Sequence, residues 1–399
     1  MIIEPVNSPA AIRAFLEVPK ELYKSDPNWT CPLDAEIEGT FNPSGNSCFE
    51  HGEAKRWILY SEEKKLIGRI AAFYDNRKKD HSYVTSGCIG FFECIHNQES
   101  ANLLFDTAKE WLQSKGMKAM DGSCNFGENL FNWGVLTYGF FPQGVGMPYN
   151  FPYYKELFEN YGFKDYFQQL SYRKDLSVPW PERQYKFAEY LSSRPEYKFV
   201  HFRKAEMDKY LHDFVATYNA IWSDFHEEYT PMTYEDIHKL FKDMEMLIDE
   251  QLIWFAYAQG KPIGFCVGLP DINIVLRKLK NGKLDLINKL KLLYHLKINR
   301  KAMNRCRVVI SGVVPEYQQK GIIGVLFLML IKNITFRGFK ELDLAWTGDY
   351  NKPVLTIYEQ VGASHATTHT TFRYLFDRSA EFQRFTNIKG YKSRKRPVA

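Results

Sequence analysis

Val308-Val309-Ile310-Ser311-Gly312-Val313-Val314-Pro315-Glu316-Tyr317-Gln318-Gln319-Lys320-Gly321-Ile322-Ile323-Gly324, running on into Val325-Leu326-Phe327-Leu328-Met329-Leu330, is the stretch from which the fold is read. Its β-branched opening predicts a strand. Pro315 to Gly321 predicts a polar turn, and the apolar run that follows has no early breaker, so a helix starts there. A helix entered through a glycine-containing turn leaves several backbone N–H groups unpaired at its N-terminus. Together with the helix dipole these donors form a site suited to phosphate.

The residues of the turn narrow this reading. Val314-Pro315-x-Tyr317-Gln318-x-Lys320-Gly321-Ile322 resembles the coenzyme A pyrophosphate loop of the GNAT N-acyltransferases, whose pattern is Gln/Arg-x-x-Gly-x-Gly/Ala. Gln318 and Gly321 match, Ile323 stands where the second Gly or Ala is expected, and Gly324 comes one residue later. Downstream, Glu341 to Trp346 reads as another strand, followed by Asn351-x-x-Val354-x-x-Ile357-Tyr358-Glu359-x-x-Gly362-Ala363. This is similar to a later motif of that family, Asn-x-x-Ala-x-x-Leu-Tyr-x-x-x-Gly-Phe, in the same order and spacing. The resemblance covers about residues 198–376. It implies an α/β fold with mixed sheets and an acetyl- or longer acyl-coenzyme A donor. That donor would be held by Val313, Val314, Gln318, Gln319, Lys320, Gly321, Ile322, Ile323, Gly324 and Asn351, with its pantetheine arm between parallel strands 308–314 and 341–346. It also implies that an N–H near Val313 polarises the thioester carbonyl and that Tyr358 protonates the leaving thiolate. Ile357 and Val361 mark the same helix face as apolar, so Tyr358 also suits a core position; its place in the motif favours the acid.

The chain carries this pattern twice. Trp57–Ser61 and Leu66–Phe73 flank a charged turn, as Leu252–Tyr257 and Pro262–Val267 flank Gln259-Gly260-Lys261, which predicts two hairpins. Ile89–Ile95 then matches the strand before Gly321, and the amphipathic run Ala101–Leu112 matches the helix after it. Phe158-Glu159-Asn160-Tyr161-Gly162-Phe163 mirrors Tyr358 to Ala363 at an offset of 200, and each is followed by an aromatic–Arg pair, Tyr172-Arg173 and Phe372-Arg373. We read two GNAT-like domains in tandem, residues 1–178 and 179–399. The first has His96-Asn97-Gln98-Glu99-Ser100 where the second has its glycine loop, and a carboxylate there disfavours pyrophosphate. The first domain is therefore expected to be a degenerate copy that walls the acceptor site. Its segment Gly122–Asn129 and the run Met147–Tyr154 offer Asn125, Tyr149 and Asn150 as substrate contacts, with Glu128 and Asn129 alongside. Met147-Pro148-Tyr149-Asn150-x-Pro152-Tyr153-Tyr154 resembles a bacterial group of paired GNAT proteins associated with N-acylation of long-chain amino lipids.

Composition sets bounds on these readings. At 399 residues, 45% hydrophobic and 25% charged, the chain is long enough for two cored domains of a globular protein. No N-terminal run has the apolar heart of a signal peptide, and Val325–Ile331 is far shorter than the roughly 20 residues a spanning helix needs. Seven scattered cysteines, at 31, 48, 88, 94, 124, 266 and 306, suit reduced thiols in a cytoplasmic protein and offer no metal spacing. Residues 271–307 hold eleven Lys/Arg against two Asp, a surplus of +9 in a chain of net charge +5, so the remainder is net −4. Leu286, Leu290 and Leu293 recur there at helical spacing among lysines. This predicts a basic amphipathic insertion that meets either an inner-membrane face or an amphiphilic substrate, or packs on the core with a solvated basic face. Neither it nor the basic tail Lys389–Arg396 is interleaved with stacking aromatics, so no nucleic-acid partner is expected.

The expected activity is transfer of an acyl group from coenzyme A to a primary amine, small or lipid-like. Glu316, Asp343, Asp349 and His226-Glu227-Glu228 are all open as the base. A Fem-type aminoacyl-tRNA-dependent transferase is the enzymatic alternative, which would need no phosphate loop. A non-catalytic coenzyme A or ligand-binding protein is the other.

Overall fold

The computed structural model describes residues 1–80, 82–127, 133–223, 231–245, 247–279, 281–299 and 303–386. In chain order the elements begin with β1 (Ile2–Pro5), α1 (Pro9–Leu22), α2 (Asp34–Thr40), β2 (Gly52–Tyr60), β3 (Leu66–Asp75), β4 (Ser86–Cys94), α3 (Gln98–Ser114) and β5 (Ala119–Gly122). They continue with β6 (Val135–Tyr138), α4 (Tyr154–Tyr161), β7 (Lys164–Asp175), α5 (Glu182–Ser192), β8 (Tyr197–His201), α6 (Met207–Trp222), α7 (Tyr234–Asp243), β9 (Ile253–Ala258) and β10 (Lys261–Pro270). The rest are α8 (Asn273–Leu276), α9 (Leu286–Lys297), β11 (Arg305–Val313), α10 (Ile322–Phe336), β12 (Glu341–Gly348), α11 (Lys352–Gln360) and β13 (Ser364–Leu375).

These elements form two compact units that a single cut of the chain does not reproduce. The first takes Met1–Leu170, Ile272–Ile298 and Ala366–Phe385; the second takes Ser171–Asp271 and Asn299–His365. Two exceptions to sequence order cause this. The last strand, β13, pairs antiparallel with β5 in the first unit, while the end of β7 lies beside β12 in the second. The excursion 272–298 leaves the second unit between two pinned ends, where Asp271 N–H donates to the Arg305 carbonyl (2.9 Å) and Arg305 Nε to Asp271 Oδ2 (2.6 Å).

Within the first unit the sheet runs β1-β2-β3-β4-β5-β13, antiparallel except for the parallel pair β4–β5. Alternate residues of β3 face opposite ways. Ile70 and Ala72 join Leu104, Phe105, Ala108 and Leu112 of α3, whereas Ala71 and Phe73 join Phe15, Leu16 and Val18 of α1. The second unit has the order β8-β9-β10-β11-β12-β7, with β11–β12 parallel and β8 to β11 antiparallel. Its β9–β10 hairpin closes through the two residues Gln259 and Gly260, both at positive φ (48° and 79°), the turn that matches strand twist. Phe265 packs on Phe214 and Trp222 of α6. Helix α10 is apolar on nearly all sides because β9 and β10 lie against one flank and α5 against another.

Each unit is clamped by an arginine from its late-joining strand. In the first, Arg373 of β13 makes two 2.6 Å bonds to the Asp121 carboxylate of β5 and lies 3.7 Å from the Tyr166 ring centroid. In the second, Arg173 of β7 donates to Asp343 of β12 (2.7 Å). Among the described residues no helix is long and apolar enough to cross a membrane.

Asp121→Ala leaves a guanidinium that is 2% exposed without its counter-ion, and the first unit is expected to lose about 3–5 kcal/mol in chemical denaturation. A loss below about 1 kcal/mol would show that water reaches Arg373 and that the clamp is dispensable.

Candidate functional site

The end of strand β11 and the start of α10 build the site in the second unit. The ladder between β11 and β12 holds only at Arg305–Glu341, Cys306–Leu342 and Arg307–Asp343, after which the two parallel strands part. The antiparallel neighbour fixes where the freed groups point. Val314 N–H donates to the Ile263 carbonyl (2.9 Å), which makes Val314/Ile263 a hydrogen-bonded pair and Val313/Gly264 the non-bonded pair beside it. Val313 N–H therefore points away from β10, toward the side of β12 beyond the last rung. Gln318 Nε2 donates to the Val313 carbonyl (3.2 Å) and ties the turn back to the strand end.

The turn itself needs unusual backbone. Gln319 and Gly321 have φ of 63° and 83°, and a Cβ on Gly321 would lie 2.6 Å from the Phe187 ring. Gly321 caps α10 without a side chain, so the amides of Ile322, Ile323 and Gly324 have no intrahelical acceptor; the first such bond is Val325 N–H to Gly321 O (3.2 Å). Ile322 is buried and Ile323 half-buried, whereas a Cβ on Gly324 would meet nothing within 4 Å. The bare, open position thus falls one residue after the one the motif assigns. Lys320 is exposed, with Nζ 4.4 Å from the Tyr317 ring centroid.

Tyr358 is buried on α11 and its hydroxyl donates to the Ala345 carbonyl (2.9 Å), two residues past the last rung on β12. Burial pushes this phenol up, well above its ordinary range, so it stays protonated. Asn351 caps α11 without a side-chain bond to the helix. Of the candidate bases, Asp343 is committed to Arg173 and lies 3.5 Å from Arg305, and Glu316 is exposed. His226, Glu227 and Glu228 lie outside the described residues, as do Glu128 and Asn129 and the tail 389–396.

The first unit has the same frame with different contents. Its parallel ladder ends at Ile89/Gly122, and Ile95 N–H donates to the Ile67 carbonyl (3.0 Å), so Cys94 is the register counterpart of Val313. Here the outward N–H is occupied: Cys94 donates to the Tyr154 hydroxyl (3.0 Å), and the Cys94 carbonyl accepts from Tyr153 (2.8 Å). Helix α3 is capped by Asn97, whose side chain accepts from Ser100 N–H (2.8 Å), and Glu99 sits in its first turn. Next to this frame a cavity of about 140 Å³ is lined by residues of several segments, including Thr30, Arg69, Glu93, Tyr149, Asn150, Tyr154 and Asn273. Asn150 spends its side chain on the backbone of Leu136 and Phe151, and Tyr149 donates to Asp26 (2.8 Å); Asn125 is not among the lining residues.

Comparison with known proteins agrees with this architecture. No family model matches the chain. The chain is 28% identical over 377 residues to the bacterial ceramide synthase of Caulobacter vibrioides, covering 92% of this chain and 96% of that protein. It is 27% identical over 365 residues to Protein YghO of Escherichia coli, covering 88% and 90%. Among solved structures it superposes on a tandem GNAT protein from the clavulanic acid biosynthesis pathway, with TM-score 0.55 and 10% identity, covering 95% of this chain and 99% of that one. This chain is a tandem GNAT fold.

One group in the first GNAT unit was not singled out from the sequence. Glu93, Arg69 and Tyr154 line the cavity and Tyr23 reaches Glu93 from behind them: Tyr23 and Tyr154 both donate to Glu93 Oε2 (2.8 and 2.7 Å), and Arg69 Nη2 stands 3.6 Å from Oε1. The available signal was a charged residue at an inward position of each of two apolar strands, set by the hairpin repeat opposite Phe265 and Gly312.

Proposed function

We propose that the protein is an acyl-coenzyme A-dependent N-acyltransferase whose acceptor is an amphiphilic primary amine, with the working donor site in the second unit. The observation that carries this is the Val313 N–H, directed past the last rung of a parting parallel pair and standing before a bare helix N-terminus. In the first unit the equivalent N–H is spent on Tyr154.

In this reading the amides of Gln319 to Gly324, with Lys320 beside them, hold the pyrophosphate, and Gln318 and Asn351 border the donor. Val313 and Val314 line the path of the pantetheine arm, where the Val313 N–H polarises the thioester carbonyl. The neutral amine nitrogen forms a bond to that carbon, the C–S bond breaks, the sulfur takes the Tyr358 proton, and the nitrogen gives one proton to water, from which the phenolate is reprotonated. The relative named a ceramide synthase supports a long-chain amino-alcohol as the acceptor, since a ceramide is the amide of such a base.

An amphiphilic acceptor is reached from a membrane surface, and α9 suits that contact. Leu286, Ile287, Leu290, Tyr294 and Ile298 are between 50% and 74% exposed, with exposed Lys289, Lys291 and Lys297 among them. The helix turns Asn288 and Leu292 inward instead. Lysines near an anionic surface gain about 1 kcal/mol each while apolar side chains enter the interface.

One coenzyme A per chain is expected in calorimetry, abolished by Gly321→Glu; a stoichiometry of two, or binding that survives the substitution, would overturn the assignment. Tyr358→Phe should lower kcat about 10–1000-fold and leave donor affinity near wild type. Wild-type turnover in that variant removes Tyr358 from the mechanism. Co-sedimentation with anionic vesicles at low salt should be lost when Lys289, Lys291 and Lys297 are replaced by Gln; retention would make the exposed face structural.

A further inference from the structure

The cavity of the first unit is built where the fold alone does not require it. By strand register Arg69 and Glu93 are opposite one another, as are Phe265 and Gly312 in the second unit. The same frame thus stands in one chain both with this buried pair and without it. Taking a carboxylate and a guanidinium out of water costs several kcal/mol per ion before their attraction is counted, and a well-packed apolar pair is often as stable.

The hydrogen bonding of the group is incomplete in a definite direction. Both phenol donors go to Glu93 Oε2; among the described residues no hydrogen bond to Oε1 is found, and Arg69 Nη2 stands 3.6 Å from it. Arg69 is 2% exposed, donates from Nη1 to the Phe15 carbonyl (2.9 Å), and its Nε has no partner among the described residues. Thr30 Oγ1 is buried in the same way. The charged lining residues are Glu36, Glu93 and Arg69, a formal charge of −1, and the faces of Trp29, Phe91 and Phe92 complete the wall. Cys31 also lines the cavity, but burial pushes its thiol up to about 12, which leaves it a poor nucleophile. Ile272 and, from α8, Asn273 and Leu276 close one side, and α8 packs against α9.

We propose that this cavity binds the compact cationic head of an amino-alcohol, with the ammonium on Glu93 Oε1 and a neighbouring hydroxyl on Thr30. This goes beyond the acyl-transfer reading: it concerns recognition of an amino-alcohol head within the first unit and places no reacting nitrogen at the donor site. Burial raises the Glu93 carboxyl above its ordinary range, opposed by Arg69 and by the two phenol bonds that favour the charged form. Arg69, with Nη2 3.6 Å from Oε1, is therefore a positioning residue that works together with the two phenols against that burial.

The test measures binding without any acyl donor, using the full-length chain and a water-soluble short-chain 2-amino-1,3-diol, by calorimetry and Trp29 fluorescence. The free amine should bind at least about tenfold more tightly than its N-acetylated analogue, and Glu93→Gln should weaken it by a similar factor. Thr30→Val should weaken the diol but not the matching mono-amine. Equal binding of the N-acetylated analogue, which needs no variant, or unchanged affinity in a folded Glu93→Gln protein, overturns the proposal, as does absence of amine binding to the wild type. Acyl transfer is measured separately. Glu93-dependent binding without transfer supports the head-group site and sinks the catalytic reading alone.

Discussion

The parting of a parallel strand pair is the constraint on which both units depend. A parallel ladder that stops after three or four rungs leaves backbone groups on both strands without strand partners, and each such group must find another partner or face a ligand. The sheets tolerate the gap because the strand beyond it is clamped by an ion pair close to the last rung. Arg373 holds Asp121, one position before the end of the β4–β5 ladder, and Arg173 holds Asp343 at the end of the β11–β12 ladder. With β5 and β12 fixed in this way, what fills the gap is free to differ between the copies.

It differs in every respect that matters to chemistry. In the first unit a tyrosine hydroxyl takes the outward N–H, a second tyrosine takes the carbonyl, and an asparagine caps the helix. In the second unit the N–H is directed past the last rung, and the helix begins at a glycine that cannot cap it with a side chain. A helix end capped by its own polypeptide has less to offer an anion, whereas one entered through left-handed backbone presents its first-turn amides.

Local pattern made much of this legible. Both hairpins, the strand–turn–helix at Gly321 and the helix bearing Tyr358 follow from alternation, turn residues and apolar runs a few residues long. What was not legible was pairing at a distance. Arg373 and Asp121 are separated by 252 positions, and an aromatic–Arg strand reads the same whichever sheet it joins. The excursion 272–298 shows a related limit: leucine spacing marked a stripe on α9, but spacing does not say which stripe is covered. The structure buries Asn288 and Leu292 and leaves Leu286 and Leu290 outside. Ile323 is a third case: the sequence shows a glycine one residue late, and the structure adds that this position is open, with nothing within 4 Å of a Cβ on Gly324.

The occupied N–H and the buried carboxyl of the first unit are linked by a single side chain. Tyr154 accepts from Cys94 N–H and donates to Glu93, so the group that occupies the register counterpart of the Val313 N–H is the same one that anchors the buried Glu93 carboxyl. A phenol can do both because its oxygen accepts while its proton donates, and burial holds that proton in place. Phenylalanine at 154 would release the Cys94 amide and remove one of the two donors from Oε2 together. The two features therefore cannot be exchanged one at a time: the tyrosine that occupies the outward N–H is also a donor to the Glu93 carboxyl inside the cavity beside it.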